Sequence, residues 1–231
     1  MGKTYHPGLP PNNDGELSWT DPSRYSQGGE TPLLPGSPPE AAIITAPHYE
    51  EVMAASTCIT GEPGGSYCEI NGTAGPDDHL MEAGVASVKL LANYSSVTKQ
   101  PFFLAVGFHK PHIPWTIPTR FFNEEHGVPP TIDETELPTH PAVPTGMPPM
   151  AWNRGLGHNA LDSYKDANRY PLHTNVTFPD PLVKAMRRGY RAAVAYMDWM
   201  TGNVLEALNT SSVADHTVVL FLGDHGCLLR T

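Results

Sequence analysis

Two uninterrupted apolar runs stand out along the chain, at residues 101–108 and at residues 217–222. The first reads PFFLAVGF and the second TVVLFL. Runs of this length without polar positions are typical of strands that are buried on both faces, as in parallel sheets. We therefore predict a strand at each run, within a mostly parallel sheet.

Two longer stretches repeat their apolar residues at the helical spacing of about 3.6. The first begins at the acidic pair Asp77 and Asp78 and extends to about residue 94, and the second covers about residues 181–208. The apolar positions are Leu80, Met81, Val85, Val88, Leu90 and Leu91 in the first helix, and Met186, Tyr190, Val194, Met197, Val204 and Leu208 in the second. Each predicted helix precedes a predicted strand, and this order indicates an α/β fold.

The remaining chain is rich in Pro and Gly, of which there are 25 and 21 in 231 residues. These residues are frequent in the stretches 1–48 and 116–180, where we predict long loops. Long loops in compact domains often carry function. We therefore expect substrate selectivity to reside in residues 116–180.

Charged side chains follow the first apolar run directly. His109, Lys110 and His112 lie within four residues, with prolines between and after them that restrict the backbone. Two imidazoles and an ammonium group are suited to binding an anion and to protonating a leaving group. The alternative is an exposed loop in which these side chains only face water.

Asp224 and His225 follow the second run and are flanked by Gly223 and Gly226. Carboxylate oxygens and imidazole nitrogens are ordinary ligands of divalent cations, and the ends of parallel strands are a common place for ligands. Two ligands cannot hold a metal ion alone. The alternative is that Asp224 caps the following segment while His225 is a loop residue.

Three motifs resemble the sulfatase family, in the same order along the chain: GKTYHPG at residues 2–8, PFFLAVGFHKPHIPW at 101–115 and GDHG at 223–226. The resemblance covers essentially the whole sequence. It implies an alkaline-phosphatase-like α/β fold with a mostly parallel central sheet, incomplete in this chain. It also implies hydrolysis of sulfate esters with a calcium ion and a formylglycine made from a cysteine, on a sulfated glycosaminoglycan substrate in the lysosome.

The resemblance assigns roles to individual residues. It implies that Lys3 and His6 bind the sulfate, that His112 contacts the ester oxygen or protonates the leaving group, and that Asp224 and His225 are calcium ligands. Lys110 is expected to join Lys3, His6 and His112 in binding substrate, because cations neutralise the charge of a sulfate ester. Without the resemblance, Lys3 and His6 would be read as solvated residues near a terminus.

The chain also departs from the family pattern. Formylglycine forms in a Cys-x-Pro-Ser-Arg context, and neither Cys58, Cys68 nor Cys227 lies in one. The paired aspartates that complete the calcium site and a downstream lysine are missing as well. We therefore expect residues 1–231 to be part of a single catalytic domain, without its start and its continuation, and to be inactive alone. The complete protein would be a partner of the formylglycine-generating enzyme.

Three alternatives stay open at this point. The first is a hydrolase of the same fold that acts on another sulfate or phosphate ester. The second is a binding protein that retains anion-binding loops without catalysis. The third is a degenerate, truncated product that aggregates through exposed sheet edges.

Several features indicate the secretory pathway. Cys58 and Cys68 flank a Gly-rich turn at a spacing that fits a small disulfide loop, and the resemblance implies the same pair; two free thiols are the alternative. Four Asn-x-Ser/Thr triplets mark candidate glycosylation sites, although such triplets also arise by chance. A signal peptide is not evident, which we interpret as a lost amino terminus. The triplets begin at Asn71, Asn93, Asn175 and Asn209.

Net charge argues against one class of partner. The chain carries a formal charge of −10, which disfavours nucleic-acid binding. No apolar stretch reaches the length of about 20 residues that a membrane helix needs.

The second predicted helix nevertheless carries four basic residues near its start. They either face water or form a surface for a sulfated polysaccharide. These residues are Lys184, Arg187, Arg188 and Arg191.

Overall fold

A computed structural model describes residues 52, 57–72, 74–137, 139, 145–148, 164–170 and 177–223. Its regular elements in this part of the chain are β1 (Cys58–Gly61), β2 (Tyr67–Ile70), α1 (Asp78–Thr98), β3 (Trp115–Pro118) and α2 (Asp180–Asn209). Short 3-10 turns occur at Thr119–Phe121, Glu124–His126, Glu134–Glu136 and Ala214–His216. The chain divides into two compact units, which we describe separately.

One unit, formed by Ser56–Thr73 and Pro111–Tyr196, contains a three-stranded mixed sheet. Strand β2 is central, antiparallel to β1 and parallel to β3, and Tyr67 pairs with Trp115. Gly61 ends β1 at a φ of +85°, and a Cβ there would lie 2.3 Å from the Tyr67 carbonyl oxygen. Only glycine fits this turn into the hairpin.

The first part of α2 packs on this sheet through a glycine. A Cβ at Gly189 would lie 2.9 Å from the Cβ of Tyr67 and 3.5 Å from that of Trp115. The Trp115 ring meets Tyr190 edge-on at a centroid distance of 5.8 Å, and Phe121 lies 5.1 Å from Tyr196. Trp115, Phe121 and Tyr196 are buried together with aliphatic residues such as Ile70 and Ile117, so aromatic rings form part of the core of this unit.

The other unit, which includes Ala74–Lys110 and Met197–Leu222, has an aliphatic core between α1 and the end of α2. The helices approach closely at Gly84, where a Cβ would lie 3.0 Å from a methyl group of Val204. The buried residues of this core are Val88, Ala92, Ala207, Leu208 and Val213, and the half-buried side chains of Val85, Phe102, Leu104 and Val204 pack against them.

Both helix predictions are confirmed to within a few residues at each end. One position of the predicted α2 stripe is wrong, because Val194 is exposed while Ala193 and Tyr196 beside it are buried. The buried face of α2 therefore includes small residues as well as the large ones that the pattern emphasised. Small residues are needed where the backbone comes close to the sheet.

Neither predicted strand is present in the described residues. Residues 101–108 follow an irregular path in which Gly107 forms a single β-bridge, and the Phe103 side chain is 78% exposed. Residues 217–222 are also irregular, and the Val218 side chain is 95% exposed. An apolar run becomes a strand when a neighbour completes its hydrogen bonds. No described backbone group bonds residues 218–223 in this way.

The sheet also differs from the predicted one. We predicted a mostly parallel sheet built from the two apolar runs, whereas the described sheet is mixed and uses β1, β2 and β3 instead. These strands have four residues each, too short for a period-two pattern to emerge from the sequence. The predicted long loop after residue 116 is correspondingly interrupted by β3 and three 3-10 turns.

Candidate active site

The end of the apolar run 101–108 is attached to the start of α1. The Oδ2 atom of Asp77 accepts hydrogen bonds from the backbone N–H groups of His109, at 2.8 Å, and Lys110, at 2.9 Å. Asp77 and Lys110 are buried, with 1% and 2% of their surface exposed. The carboxylate therefore fixes the backbone where the charged cluster begins.

Asp77 makes these bonds instead of capping its own helix. It occupies the N-cap position of α1, yet its side chain makes no capping bond there. Its carbonyl oxygen accepts from Leu80 at 3.0 Å and from Met81 at 3.2 Å, so the backbone still starts the helix. The Asp77 carboxylate is thus available to residues 32 and 33 positions further along the chain.

His112 is exposed, in contrast to Lys110. Its Nδ1 atom lies 2.5 Å from the carbonyl oxygen of Ile113. Because a carbonyl oxygen only accepts, Nδ1 carries the hydrogen of this bond. The nitrogen that exchanges a proton with a substrate is then Nε2, which suits the predicted role of His112 as a proton donor to a leaving group.

The turn that carries His112 is closed by Trp115. The indole Nε1–H donates to the Pro111 carbonyl at 2.8 Å, and the Trp115 backbone N–H donates to the Ser66 carbonyl at 2.8 Å. The Ile113–Pro114 peptide bond is cis. With Trp115 buried at the start of β3, His112 is held on a turn anchored to the sheet.

Ser66 is in turn held by Asp166, which lies 100 positions later. The serine backbone N–H donates to both carboxylate oxygens at 2.8 and 2.9 Å, and its hydroxyl donates at 2.7 Å. Both residues are buried. Burial, followed by the charge of Asp166, raises the pKa of the nearby hydroxyl groups of Tyr67 and Tyr164.

The four basic residues of α2 do not form an uncompensated cationic surface. Arg188 pairs with the buried Glu69 at 3.3 Å and lies 4.7 Å above the Phe122 ring. Lys184 pairs with Glu134, and Arg191 pairs with Glu136. At least three of these cations are therefore paired with acidic side chains in the described part of the protein, which argues against a basic surface for a sulfated polysaccharide.

The other predicted site residues lie outside the described residues: Lys3, His6, Asp224 and His225. Within the described ranges, no group of three His, Cys, Asp or Glu side chains could hold a metal ion. The structure therefore offers no geometry for the predicted calcium site. It describes Lys110 and His112, the candidate substrate-binding residues on the HKPH motif.

The predicted disulfide is present. Cys58 and Cys68 are bonded, with their Cα atoms 5.3 Å apart, while Cys227 lies outside the described residues. Asn71, Asn93 and Asn209 are exposed, and Asn175 lies outside the described residues. None of the described helices is long and apolar enough to cross a membrane.

Sequence reasoning missed the residues that hold the candidate site in place. The sequence indicates Asp77 only as a helix start, and it does not mark Ser66 or Asp166. A signal existed for Asp77, because two consecutive aspartates at a helix start exceed what one cap requires. No local pattern marks Ser66 and Asp166, since their contact depends on the tertiary fold.

Comparison with known proteins agrees with the motifs. A family model for sulfatases matches residues 41–231. The chain is 29% identical to mouse (Mus musculus) iduronate 2-sulfatase over 237 aligned residues and 29% identical to the human (Homo sapiens) enzyme of the same name over 235. Each alignment covers 99% of the chain and 38% of the relative.

A bacterial relative gives a shorter match. The chain is 28% identical over 150 residues to a sulfatase of Formosa agariphila, covering 64% of the chain and 26% of that protein. The chain thus spans about 38% of the length of the two mammalian relatives. With the family model matching most of its length, the chain belongs to the sulfatase family.

Proposed function

We propose that this chain contributes the substrate-binding part of a sulfuric ester hydrolase that removes the 2-O-sulfate of iduronate from dermatan and heparan sulfate. The observation that carries the proposal is the similarity to two iduronate 2-sulfatases along 99% of the chain. The family match supports a sulfate ester as the substrate class, and the names of the two relatives suggest the sugar.

In this proposal, Lys3, His6 and Lys110 neutralise the negative charge of the sulfate group. His112 donates a proton from Nε2 to the departing sugar oxygen, consistent with its exposure and with the bond from Nδ1 to the Ile113 carbonyl. A positioned general acid contributes a rate factor on the order of 10² to 10⁴. The proposed role of Lys3 and His6 in binding the sulfate rests on the resemblance to the sulfatase family.

Calcium would polarise the sulfate oxygens, and Asp224 and His225 are the residues of this chain proposed to hold it. A formylglycine is the proposed nucleophile of the complete protein. We propose the lysosome, reached through the secretory pathway, as its compartment. The disulfide between Cys58 and Cys68 and the exposure of Asn71, Asn93 and Asn209 support this location.

Calorimetric titration of the chain with a disaccharide that contains 2-O-sulfated iduronate tests the proposal. We expect saturable binding, weaker binding of the desulfated disaccharide, and no release of sulfate. A 6-O-sulfated glucosamine disaccharide is the control for the sugar. Equal affinity for all three compounds would contradict the proposal, and selective binding of the glucosamine compound would replace iduronate with another sugar.

A second candidate is a sulfatase-family protein that binds sulfated sugars without hydrolysing them. The nucleophile distinguishes it from the first candidate: within residues 1–231, Cys58 and Cys68 are joined to each other, so neither is available for conversion to formylglycine. Cys227 lacks the required Pro-Ser-Arg context. Mass spectrometry of the full-length protein, after coexpression with the formylglycine-generating enzyme, distinguishes the two candidates. A hydrolase would contain a cysteine converted to formylglycine, whereas the binding protein would not.

A further inference from the structure

We propose that Asp77 is a positioning residue for His109 and Lys110, the first two residues of the HKPH motif, whose backbone it holds in place for binding an anionic substrate. The inference rests on the proposed function for the identity of the ligand. Its structural basis is independent, because the hydrogen bonds from His109 and Lys110 to Asp77 Oδ2 are a property of the folded chain.

Burying the Asp77 carboxylate is energetically unfavourable by itself. A carboxylate with 1% of its surface exposed has lost most of its hydration, which is unfavourable unless other groups replace the lost water. Two backbone N–H groups of the HKPH region supply that replacement at 2.8 and 2.9 Å. The start of α1 also favours a negative charge at this position.

The hydrogen bonds to the Asp77 side chain are not part of the helix α1. Asp77 makes no side-chain cap on α1, and Asp78 directs its Oδ2 to the backbone N–H of Gly75 at 2.8 Å. The Asp77 side chain therefore serves the distant turn. By bonding two consecutive N–H groups, it restricts the backbone from which the Lys110 side chain extends.

Both bonds end on the same oxygen atom, and this gives a sharp test. Asn has one amide oxygen that can accept both N–H groups, whereas Ala has none. If positioning is the role, Asp77→Asn retains most of the effect and Asp77→Ala loses it. Asp78→Ala is the matched control, because the adjacent Asp78 carboxylate accepts from the Gly75 backbone N–H, whereas Asp77 accepts from residues 109 and 110.

The experiment uses the full chain and two measurements. Amide hydrogen exchange followed by NMR reports the anchoring of His109 and Lys110, and titration with inorganic sulfate reports anion affinity. For D77A we expect exchange at both amides to rise about tenfold or more and sulfate affinity to fall about tenfold. D77N should raise exchange at both amides above the wild type but much less than D77A, because its amide oxygen is a weaker acceptor than a carboxylate, and D78A should match the wild type at these amides.

Several results would overturn the proposal. Unchanged exchange at residues 109 and 110 in folded D77A would show that Asp77 does not anchor them, and wild-type sulfate affinity in that variant would show that anchoring does not serve binding. If D77A fails to fold, D77N decides, because the weaker amide acceptor must still raise exchange at these two amides above the wild type. Sulfate binding that is absent in the wild type would overturn the proposed function, while the exchange rates still test the anchor.

Discussion

Asp166 accepts three hydrogen bonds from one residue, Ser66, and both partners are buried. Replacing the serine by alanine removes the hydroxyl bond and leaves the Oδ2 atom of Asp166 with one fewer donor. For a hydrogen bond to a charged group we expect Ser66→Ala to lower the free energy of unfolding by about 1.5 to 3 kcal/mol.

Urea unfolding measures this loss. Ser96→Ala is the control, because the Ser96 hydroxyl bonds the Asn93 carbonyl at an exposed position of α1. A change of similar size in both variants would show that the serine hydroxyl of residue 66 has no special weight.

Glu82 gives a prediction about pH. Desolvation by burial, and then the like charge of Asp78 four residues earlier, raise the pKa of Glu82 above its ordinary value. The folded state therefore disfavours the ionised form, and stability present at low pH is lost as the pH rises through the raised pKa. We expect Glu82→Gln to raise the melting temperature at pH 7 and to have little effect at pH 3.

Melting curves over this pH range, recorded also in an Asp78→Asn background, test the cause. Removing Asp78 removes the second cause of the shift, so the gain from Glu82→Gln should become smaller. If Glu82→Gln raises the melting temperature equally at every pH, the raised pKa of Glu82 is not the cause.

The residues of the candidate site could be predicted only in part. The HKPH motif is contiguous, so the sequence alone indicates His109, Lys110 and His112 as candidate site residues. Their supports come from positions 77, 66 and 166, and a sequence pattern does not encode which distant side chain a backbone N–H will meet. The predicted strands failed for a related reason, because a strand depends on a neighbour as well as on its own residues.

At the scale of elements, the close contact between α2 and the sheet depends on Gly189. Adding a Cβ there places it 2.9 Å from the Cβ of Tyr67, and overpacking of this kind costs about 1 to 3 kcal/mol. Alanine gains about 1 kcal/mol over glycine in helix propensity. We expect Gly189→Ala to destabilise the protein and Gly202→Ala, with nothing within 4 Å of its added Cβ, to stabilise it.

The melting temperatures of both variants, measured by thermal unfolding, test this prediction. Since the two glycines belong to the same helix, the propensity gain is shared and the difference between them isolates the contact with Tyr67. Equal stabilisation in both variants would mean that the sheet moves to accommodate the added methyl group.

The disulfide ring between Cys58 and Cys68 contains the residues that hold a distant segment, 164–170. Glu62 pairs with Arg169 at 2.7 Å, the Lys165 N–H donates to the Gly64 carbonyl at 2.9 Å, and Ser66 bonds Asp166. Opening the ring frees the backbone that carries these partners. We therefore expect the double variant Cys58→Ser, Cys68→Ser to loosen this segment.

Limited trypsin digestion measures this loosening, because Lys165 and Arg169 are exposed cleavage positions within the segment. Lys99, exposed at the end of α1, is the internal control. Cleavage should accelerate at residues 165 and 169 relative to residue 99. Equal acceleration at all three positions would indicate global unfolding instead.

At the scale of the whole molecule, residues 218–222 are an exposed apolar run. The exposed fractions are 95% at Val218, 77% at Leu220 and 75% at Leu222. Such a segment is prone to pair with other chains. We expect self-association that grows with protein concentration and that Leu220→Lys reduces.

Static light scattering across a concentration series tests this expectation. Val97→Lys is the control, because Val97 is 72% exposed but lies between the polar residues Ser96 and Thr98 and not in an apolar run. Association that both substitutions reduce equally would point to added charge in general, since the chain carries −10 at neutral pH.

The hydrogen bonds that His109 and Lys110 donate to Asp77 also limit which insertions and deletions the sequence can accept. One end of α1 and the charged turn are joined in space, so the 31 residues from 78 to 108 form a closed interval of fixed length. An insertion or deletion inside it would shift the turn relative to its anchor. Length variation among close relatives is therefore expected in the flanking Pro-rich stretches and to be rare between residues 78 and 108.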